Sequence, residues 1–207
     1  MALVKYNNNS ISDVTELAGV PAGAMTLIKT LTASSSTTLS FVNGSSDVVL
    51  DGTYPVYKFV FINIHPANAN TELTFNMSTD TGSNYNVAKT TTFIQVDHSE
   101  GGAGESIQLS TGDDLAQGTG FQNLTDVIDN DNDNSGNGSL LLFSPSSTTF
   151  VKQFISRGNG MYNGNYISDC FVAGYGNTTS AIDAVQFKMA SGDIDSGTIK
   201  LYGIKDS

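Results

Sequence analysis

Apolar and polar residues alternate along much of the chain, most clearly over residues 56–79. In the second half of this stretch Leu73, Phe75 and Met77 alternate with polar residues, which predicts a strand with one buried face and one wet face. In the first half, VYKFVFINIH, neither face is polar, which predicts a strand that is covered on both sides. Pro66 lacks a backbone donor and is followed by small or polar residues. We therefore predict a central β-hairpin over residues 56–79.

Similar runs recur about every ten residues, separated by Gly, Asn, Asp and Ser. They predict about ten or more strands and at most one or two short helical turns, at residues 12–18 and 113–115. Residues 139–143 and 149–156 are predicted to pair, and residues 182–190 and 198–204 to form a terminal hairpin around the loop 191–197. The predicted fold class is all-β, an antiparallel β-sandwich of jelly-roll type.

The length of 207 residues suits one large all-β domain. Residues 5–12 are dominated by Asn and Ser and have no core of their own, so we assign residues 1–12 to an N-terminal arm. Residues 13–207 are assigned to a single β-sandwich domain. Two interpretations of the arm stay open: a frayed terminus, or a segment that docks on a neighbouring molecule.

Charged residues make up 14% of the chain, and 20 acidic against 9 basic residues give a formal charge of −11. This charge repels phosphate backbones and anionic lipid, so nucleic acid and membranes are poor partners. Cys170 is the one cysteine, which excludes an intramolecular disulfide. The first residues contain no apolar stretch typical of a signal peptide. We therefore expect synthesis in a reducing host cytoplasm without an export signal.

Three phrases carry a resemblance to a known group of proteins. They are YKFVFINIHPAN at residues 57–68, STDTGSNYN at residues 78–86 and SGTIKLYGI at residues 196–204. They resemble an all-β module in structural proteins of tailed bacteriophages, particularly marine phages, and the likeness extends from about residue 10 to the C-terminus. The resemblance implies a virion component, such as a tail, fibre or capsid-decorating appendage, without characteristic catalytic residues. It implies other virion proteins as partners.

A polar segment, residues 126–138, contains a candidate calcium site. Asp131, Asp133 and Ser135, followed by Gly136, match the first half of a calcium loop in which alternate oxygen ligands surround the cation. The second half does not match, because Leu142 stands where the bidentate glutamate is needed. The alternative is a loop of Asx-turns that satisfies its own polar groups. We expect no cofactor, with calcium as the one candidate.

Catalytic chemistry has few candidate residues in this sequence. His65 and His98 could meet Asp97 or Glu100 at one end of the sheets as a zinc or acid–base site, or simply cap strands. Cys170 lies in an apolar run and is predicted to be core. The motifs GxSxG, HExxH, CxxC and the P-loop do not occur, so we predict a protein that is not an enzyme. A glycoside-cleaving depolymerase is the enzymatic alternative, and its paired carboxylates would come from Asp80, Asp97, Glu100, Glu105, Asp113 and Asp114.

Aromatic residues provide the candidates for binding. Tyr162, Tyr166 and Tyr175 are interleaved with Asn and Gly, a composition suited to stacking on a sugar or to subunit contact. The two-sided apolar strand, with Phe150, Phe154 and Phe171, predicts a homo-oligomer, ring-like or threefold, or contact with a larger particle. The leading hypothesis is a non-enzymatic structural component of a tailed-phage virion. The alternative is a carbohydrate-binding module that recognises a host surface glycan.

Overall fold

The structure, a computed structural model, describes residues 24–102, 104–162 and 165–205. Within these ranges the chain forms thirteen strands and no helix. The strands are β1 (Met25–Ser36), β2 (Leu39–Val42), β3 (Val56–Pro66), β4 (Leu73–Ser78), β5 (Lys89–Ser99), β6 (Ser106–Leu109), β7 (Ala116–Gly118), β8 (Gln122–Asn123), β9 (Gly136–Phe143), β10 (Lys152–Tyr162), β11 (Tyr166–Gly176), β12 (Ala184–Met189) and β13 (Ile194–Ile204). The predicted N-terminal arm and the helical turn at residues 12–18 lie outside the described residues.

The strands form two antiparallel sheets packed as a sandwich, which confirms the predicted fold class. The large sheet has nine strands in the order β1-β13-β3-β9-β10-β11-β5-β6, with β7 paired to β5. The small sheet has four strands in the order β2-β12-β4-β8. The jelly-roll type stays a prediction. The helical turn predicted at residues 113–115 is wrong: the Asp113 N–H donates to the Ser110 carbonyl oxygen in a simple turn (3.4 Å).

An aromatic cluster joins the two sheets. Phe187 of the small sheet has its ring centroid 5.2 Å from that of Phe59 and 5.3 Å from that of Phe61, both in the large sheet. Phe41 lies beside Phe59 at 5.3 Å, and Phe75 packs on Phe154 at 4.9 Å. All these rings are buried. Edge-on aromatic pairs of this kind add about 0.5–1.5 kcal/mol to the stabilisation that burial provides.

The predicted inward and outward faces are confirmed where a strand is regular. In β12, Val185, Phe187 and Met189 are buried on one face, as expected from their spacing. In β10 every second residue from Lys152 to Gly160 is buried. The predicted pairing of residues 139–143 with residues 149–156 is also confirmed, since β9 and β10 are antiparallel neighbours with Leu142 opposite Phe154.

The hairpins predicted over residues 56–79 and 182–204 are both wrong, because the two strands of each lie in different sheets. β3 pairs with β13 and β9 in the large sheet, whereas β4 pairs with β12 and β8 in the small sheet. Residues 67–72 therefore cross from one sheet to the other. β12 and β13 are likewise in different sheets, and Ile194 already lies in β13. The period of two identifies the buried face of each strand but carries no information about its partner.

The wet face predicted for β4 is also wrong, because all six residues of this strand are buried. The polar side chains are satisfied locally. The Thr74 hydroxyl donates to the Lys188 carbonyl oxygen (2.9 Å), and the Ser78 hydroxyl donates to Asp80 Oδ1 (2.7 Å). Asn76 Nδ2 donates to the carbonyl oxygens of Tyr85 (2.6 Å) and Thr119 (3.0 Å). Connecting segments thus cover the outer side of this strand.

A bulge in β3 changes which residues face inward. Asn63 has a φ of 51°, and the pairing of β3 with β9 shifts register between Phe61 and Ile64. Ile64 is consequently fully buried with Tyr57, Phe59 and Phe61, although strict alternation placed it on the opposite face. Val56, Val60 and Ile62 remain on the other face, where they are half-buried. This second face is therefore only partly covered.

Candidate functional site

The Asp131 loop is exposed and folded on itself. Asp131 and Asp133 are exposed at its tip, and the Asn134 N–H donates to the Asp131 carbonyl oxygen (2.9 Å). Asn137 Nδ2 reaches the Ser135 hydroxyl at 3.5 Å. Across the described part of the chain, no three His, Cys, Asp or Glu side chains are grouped so that they could hold a metal ion. Calcium binding here therefore stays a prediction that depends on Asp131, Asp133 and Ser135.

The two histidines are far apart. His65 Nδ1 lies 2.9 Å from the Asn134 carbonyl oxygen, beside a polar depression of about 490 Å³ that Asp133 and Asp195 also line. His98 lies on β5, four strands away from β3, or roughly 19 Å at the usual strand spacing. Its Nε2 is 3.5 Å from Glu105 Oε1 on the surface. The proposed shared site of His65 and His98 is therefore wrong.

Tyr162 and Tyr166 form a stacked pair at the end of the β10–β11 hairpin. Their ring centroids are 5.0 Å apart and their planes differ by 15°. A neighbouring depression of about 280 Å³ is lined by Tyr166, His98 and Glu100, among others. Asn165 Nδ2 donates to Glu100 Oε2 at 3.0 Å, which holds an amide and a carboxylate beside the rings. This arrangement combines an aromatic surface with hydrogen-bonding groups.

Tyr175 does not belong to this pair. It lies at the opposite end of β11, nine residues from Tyr166, or roughly 30 Å along an extended strand. Its hydroxyl is 3.5 Å from Gln117 Nε2. A single platform of all three tyrosines is therefore wrong, and the stacking surface is limited to Tyr162 and Tyr166.

A pair of carboxylates lies next to the stacked tyrosines and was not predicted from the sequence. Gln95 Nε2 donates to Asp97 Oδ1 (3.0 Å) and to Asp126 Oδ2 (2.7 Å). Burial, and then the negative charges of Asp97 and Asp113, raise the pKa of Asp126. Burial, and then the negative charges of Asp97 and Asp126, raise the pKa of Tyr162. The sequence gives little indication that these two carboxylates meet, because Asp97 and Asp126 belong to distant segments of the chain.

The carboxylate pair has the spacing but not the access that glycoside cleavage requires. Because both oxygens accept a hydrogen bond from the same nitrogen, they are at most about 6 Å apart, a range that includes the separation of about 5–5.5 Å used by retaining enzymes. However, Asp97 is buried, and Ser106 and Gln95 occupy its oxygens. The geometry gives no support to a depolymerase at this site.

Two of the other acidic candidates, Asp80 and Asp113, hold turns together. Asp80 accepts hydrogen bonds from Asn84 and Ser78, which lower its pKa. Asp113 accepts from Ser110 and Asn123 (2.8 Å from Asn123 Nδ2).

The prediction that Cys170 is a core residue is confirmed. Cys170 is fully buried, and burial raises the pKa of its thiol to about 12.

Two buried lysines are a further feature that the sequence analysis missed. Lys89 Nζ donates to Asn76 Oδ1 (2.6 Å) and to the Val87 carbonyl oxygen (2.8 Å), and burial lowers its pKa to about 7. Lys152 is equally buried and donates to two backbone carbonyl oxygens, and burial lowers its pKa. Both flank Gly176 in one cross-strand row. The burial of Lys89 could have been inferred from the period of two, which places it on the same face of β5 as the buried residues Thr91 and Phe93.

The large sheet also carries an extended surface that no described element covers. We call it the outer face: the side of the large sheet turned away from the small sheet. Its apolar members come from seven adjacent strands and fall into three cross-strand rows. They are Met25, Leu27, Val56, Val60, Ile94, Leu141, Phe143, Ile155, Phe171, Ala173, Tyr175, Tyr202 and Ile204. Ile155 is 53% exposed and Phe171 is 41% exposed. Phe154, expected to add to this surface, is instead buried.

Comparison with known proteins gives no match: no protein-family model, no curated protein and no solved structure matches this chain. Among the described residues, no helix could span a membrane.

Proposed function

We propose that this protein is a non-enzymatic structural component of a tailed-bacteriophage virion, in a tail, a fibre or a capsid-attached appendage. The observation that supports this proposal is the outer face, on which apolar residues of neighbouring strands remain exposed or half-exposed. Soluble proteins rarely expose contiguous apolar patches of this extent unless something binds to them. Residues 57–68, 78–86 and 196–204 resemble segments of structural proteins of tailed bacteriophages, and this resemblance is the reason for proposing a phage particle.

The other structural features are consistent with a role in assembly. The candidate acids and histidines are engaged in turns, strand ends and surface pairs, and the thiol of Cys170 is buried and protonated. Hydrogen bonds that hold a side chain in a turn do not prepare it for acid–base chemistry. The partners in this proposal are other copies of the chain and other virion proteins.

The proposal is tested by locating the protein in a purified particle. Quantitative mass spectrometry and antibody labelling of purified virions should find the protein at a fixed stoichiometry to a tail or capsid component. Its absence from intact virions, while it is abundant in infected cells, would refute the proposal.

A second function has its own supporting observation, the stacked pair Tyr162 and Tyr166 with Asn165 and Glu100 beside it. Such a surface suits a carbohydrate-binding module for a host surface glycan, because a sugar ring can stack on an aromatic face and its hydroxyls can bond to amide and carboxylate groups.

This alternative predicts glycan-array binding that Tyr166→Ala removes. The matched control is Tyr175→Ala, which deletes a half-exposed tyrosine at the other end of the same strand and should leave binding unchanged. Wild-type protein that binds no glycan on an array of host surface sugars would refute the alternative.

A further inference from the structure

The three apolar rows of the outer face differ in charge from the rest of the molecule. The outward positions of its three rows include Lys58, Arg157 and Lys200 but no Asp or Glu. The whole chain, by contrast, has 20 acidic and 9 basic residues. The acid excess is therefore concentrated outside these rows. An apolar surface with basic groups complements an acidic surface.

Two of the three basic residues have no acidic partner in the described part of the chain. Arg157 is paired with Asp169 at the edge of the rows, with Nη2 2.7 Å from Oδ2. Lys58 and Lys200 lie on adjacent strands, diagonal to each other, and neither forms an ion pair with a described residue. Their ammonium groups would be desolvated if the face were covered. The molecule that covers the face therefore has to supply carboxylates.

The size of the outer face is that of a specific interface. Seven strands at a spacing of about 4.8 Å span roughly 34 Å, and three rows along the strands cover about 20 Å, or about 700 Å² in projection. A standard protein–protein interface buries about 800 Å² per partner. The face is thus large enough for stable association.

We propose that the outer face docks a second copy of this chain, which contacts it with a different, acidic part of its surface. The inference rests on the proposed function and names the surface and partner that assembly would use. Two outer faces packed on each other would bring together four unpaired lysines and no compensating carboxylate. A contact between unlike surfaces avoids this repulsion, and repeated contacts of that kind generate rings or filaments.

The first test measures mass by sedimentation equilibrium on the full chain, from about 1 to about 100 µM, where interfaces of micromolar affinity dissociate. Wild-type protein should self-associate, and Ile155→Thr with Phe171→Thr should raise the dissociation constant by at least about tenfold. Threonine is β-branched and therefore favoured in strands, and unchanged circular dichroism would verify folding. A monomeric wild type, or a variant that associates as well as wild type, overturns the inference.

The second test separates charge complementarity from general charge effects. Lys200→Glu should weaken association by at least about fivefold, whereas Lys188→Glu should not, although both change the net charge equally. Lys188 lies on the small sheet, where its Nζ is 4.5 Å from the centroid of the Phe121 ring. Equal effects of the two substitutions would overturn the acidic-partner part of the inference.

A mixing experiment determines which surfaces meet. The Ile155→Thr/Phe171→Thr variant has a damaged outer face but an intact acidic surface. If the contact joins unlike surfaces, labelled variant should still bind to the outer face of wild type and stop the assembly from growing further, which caps it. If two outer faces met each other, the variant would not bind. Failure to cap therefore overturns the unlike contact. Flotation of monomeric wild type with vesicles of neutral lipid, lost in the variant, would instead assign the face to lipid.

The outcomes also distinguish this inference from the proposed function. A protein that is present in virions but monomeric in solution over the whole concentration range would overturn the docking of a second copy alone. A protein that self-associates through the outer face but is absent from virions would overturn the virion role alone.

Discussion

At the scale of single residues, a buried ionisable group inside the sandwich couples pH to stability. Lys89 is fully buried and satisfies its amine with Asn76 and a backbone carbonyl oxygen, not with a carboxylate. Without a counter-charge, burial favours the neutral amine, and the pKa falls from 10.5 to about 7. Lys89 thus links protonation to stability near neutral pH.

The pH dependence follows from the sign of this shift. Between pH 7 and pH 10.5 the unfolded chain holds the Lys89 proton and the folded chain does not, so folding becomes more favourable as pH rises. The contribution of Lys89 to the free energy of unfolding should increase by up to about 1.4 kcal/mol per pH unit across this window. Urea denaturation of wild type and Lys89→Met at several pH values measures it.

The Lys89→Met variant should lack this increment, whatever its absolute stability. Lys188→Met is the control, because Lys188 is half-exposed on the small sheet and its replacement should leave the pH slope unchanged. Identical slopes for wild type and Lys89→Met would contradict the assignment of the buried amine.

At the scale of elements, stability depends on how β3 of the large sheet packs on β12 of the small sheet. Phe59 and Phe61 both lie within 5.3 Å of the Phe187 ring, measured between centroids. The connection between β3 and β4 crosses between the sheets, so these rings join segments that have no backbone ladder in common. Loss of the rings should weaken the contact between the sheets more than it weakens either sheet.

Replacement of Phe59 and Phe61 together by alanine should prevent soluble expression. Each core truncation costs about 3–5 kcal/mol, against a total stability of about 5–15 kcal/mol for a domain. The control is Phe150→Ala, which removes a ring of the same size from an exposed position outside the outer face and should leave the melting temperature nearly unchanged. A soluble double variant that melts within a few degrees of wild type would show that these rings are not essential to the core.

At the scale of the whole molecule, the exposed Asp131 loop should contribute little to folding. Chelation should shift the melting temperature by less than about 2 °C, because the incomplete loop supplies too few ligands for calcium. A calcium ion bound at 100 times its dissociation constant would instead add about 2.7 kcal/mol, which corresponds to several degrees. Differential scanning calorimetry with and without chelator provides the measurement. If calcium restores a large loss in wild type but not in Asp131→Asn/Asp133→Asn, the loop binds the ion.

The sequence by itself determined the strand content and, for regular strands, the buried face. Val185, Phe187 and Met189 were placed correctly because the side-chain period of two is a local property of extended backbone. The burial of Cys170 followed from its apolar neighbours in the same way. The bulge at Asn63 escaped prediction, because nothing in an alternating pattern indicates where an extra residue is inserted.

Only the tertiary structure decided which segments meet. Asp97 and Asp126 share one amide donor although they lie in distant segments, and His65 and His98 are separated although both follow apolar runs. The buried polar face of β4 has the same origin, since connecting segments cover it. Contacts between remote segments depend on how two sheets pack and where the chain crosses between them, and the local alternation of side chains contains no record of either.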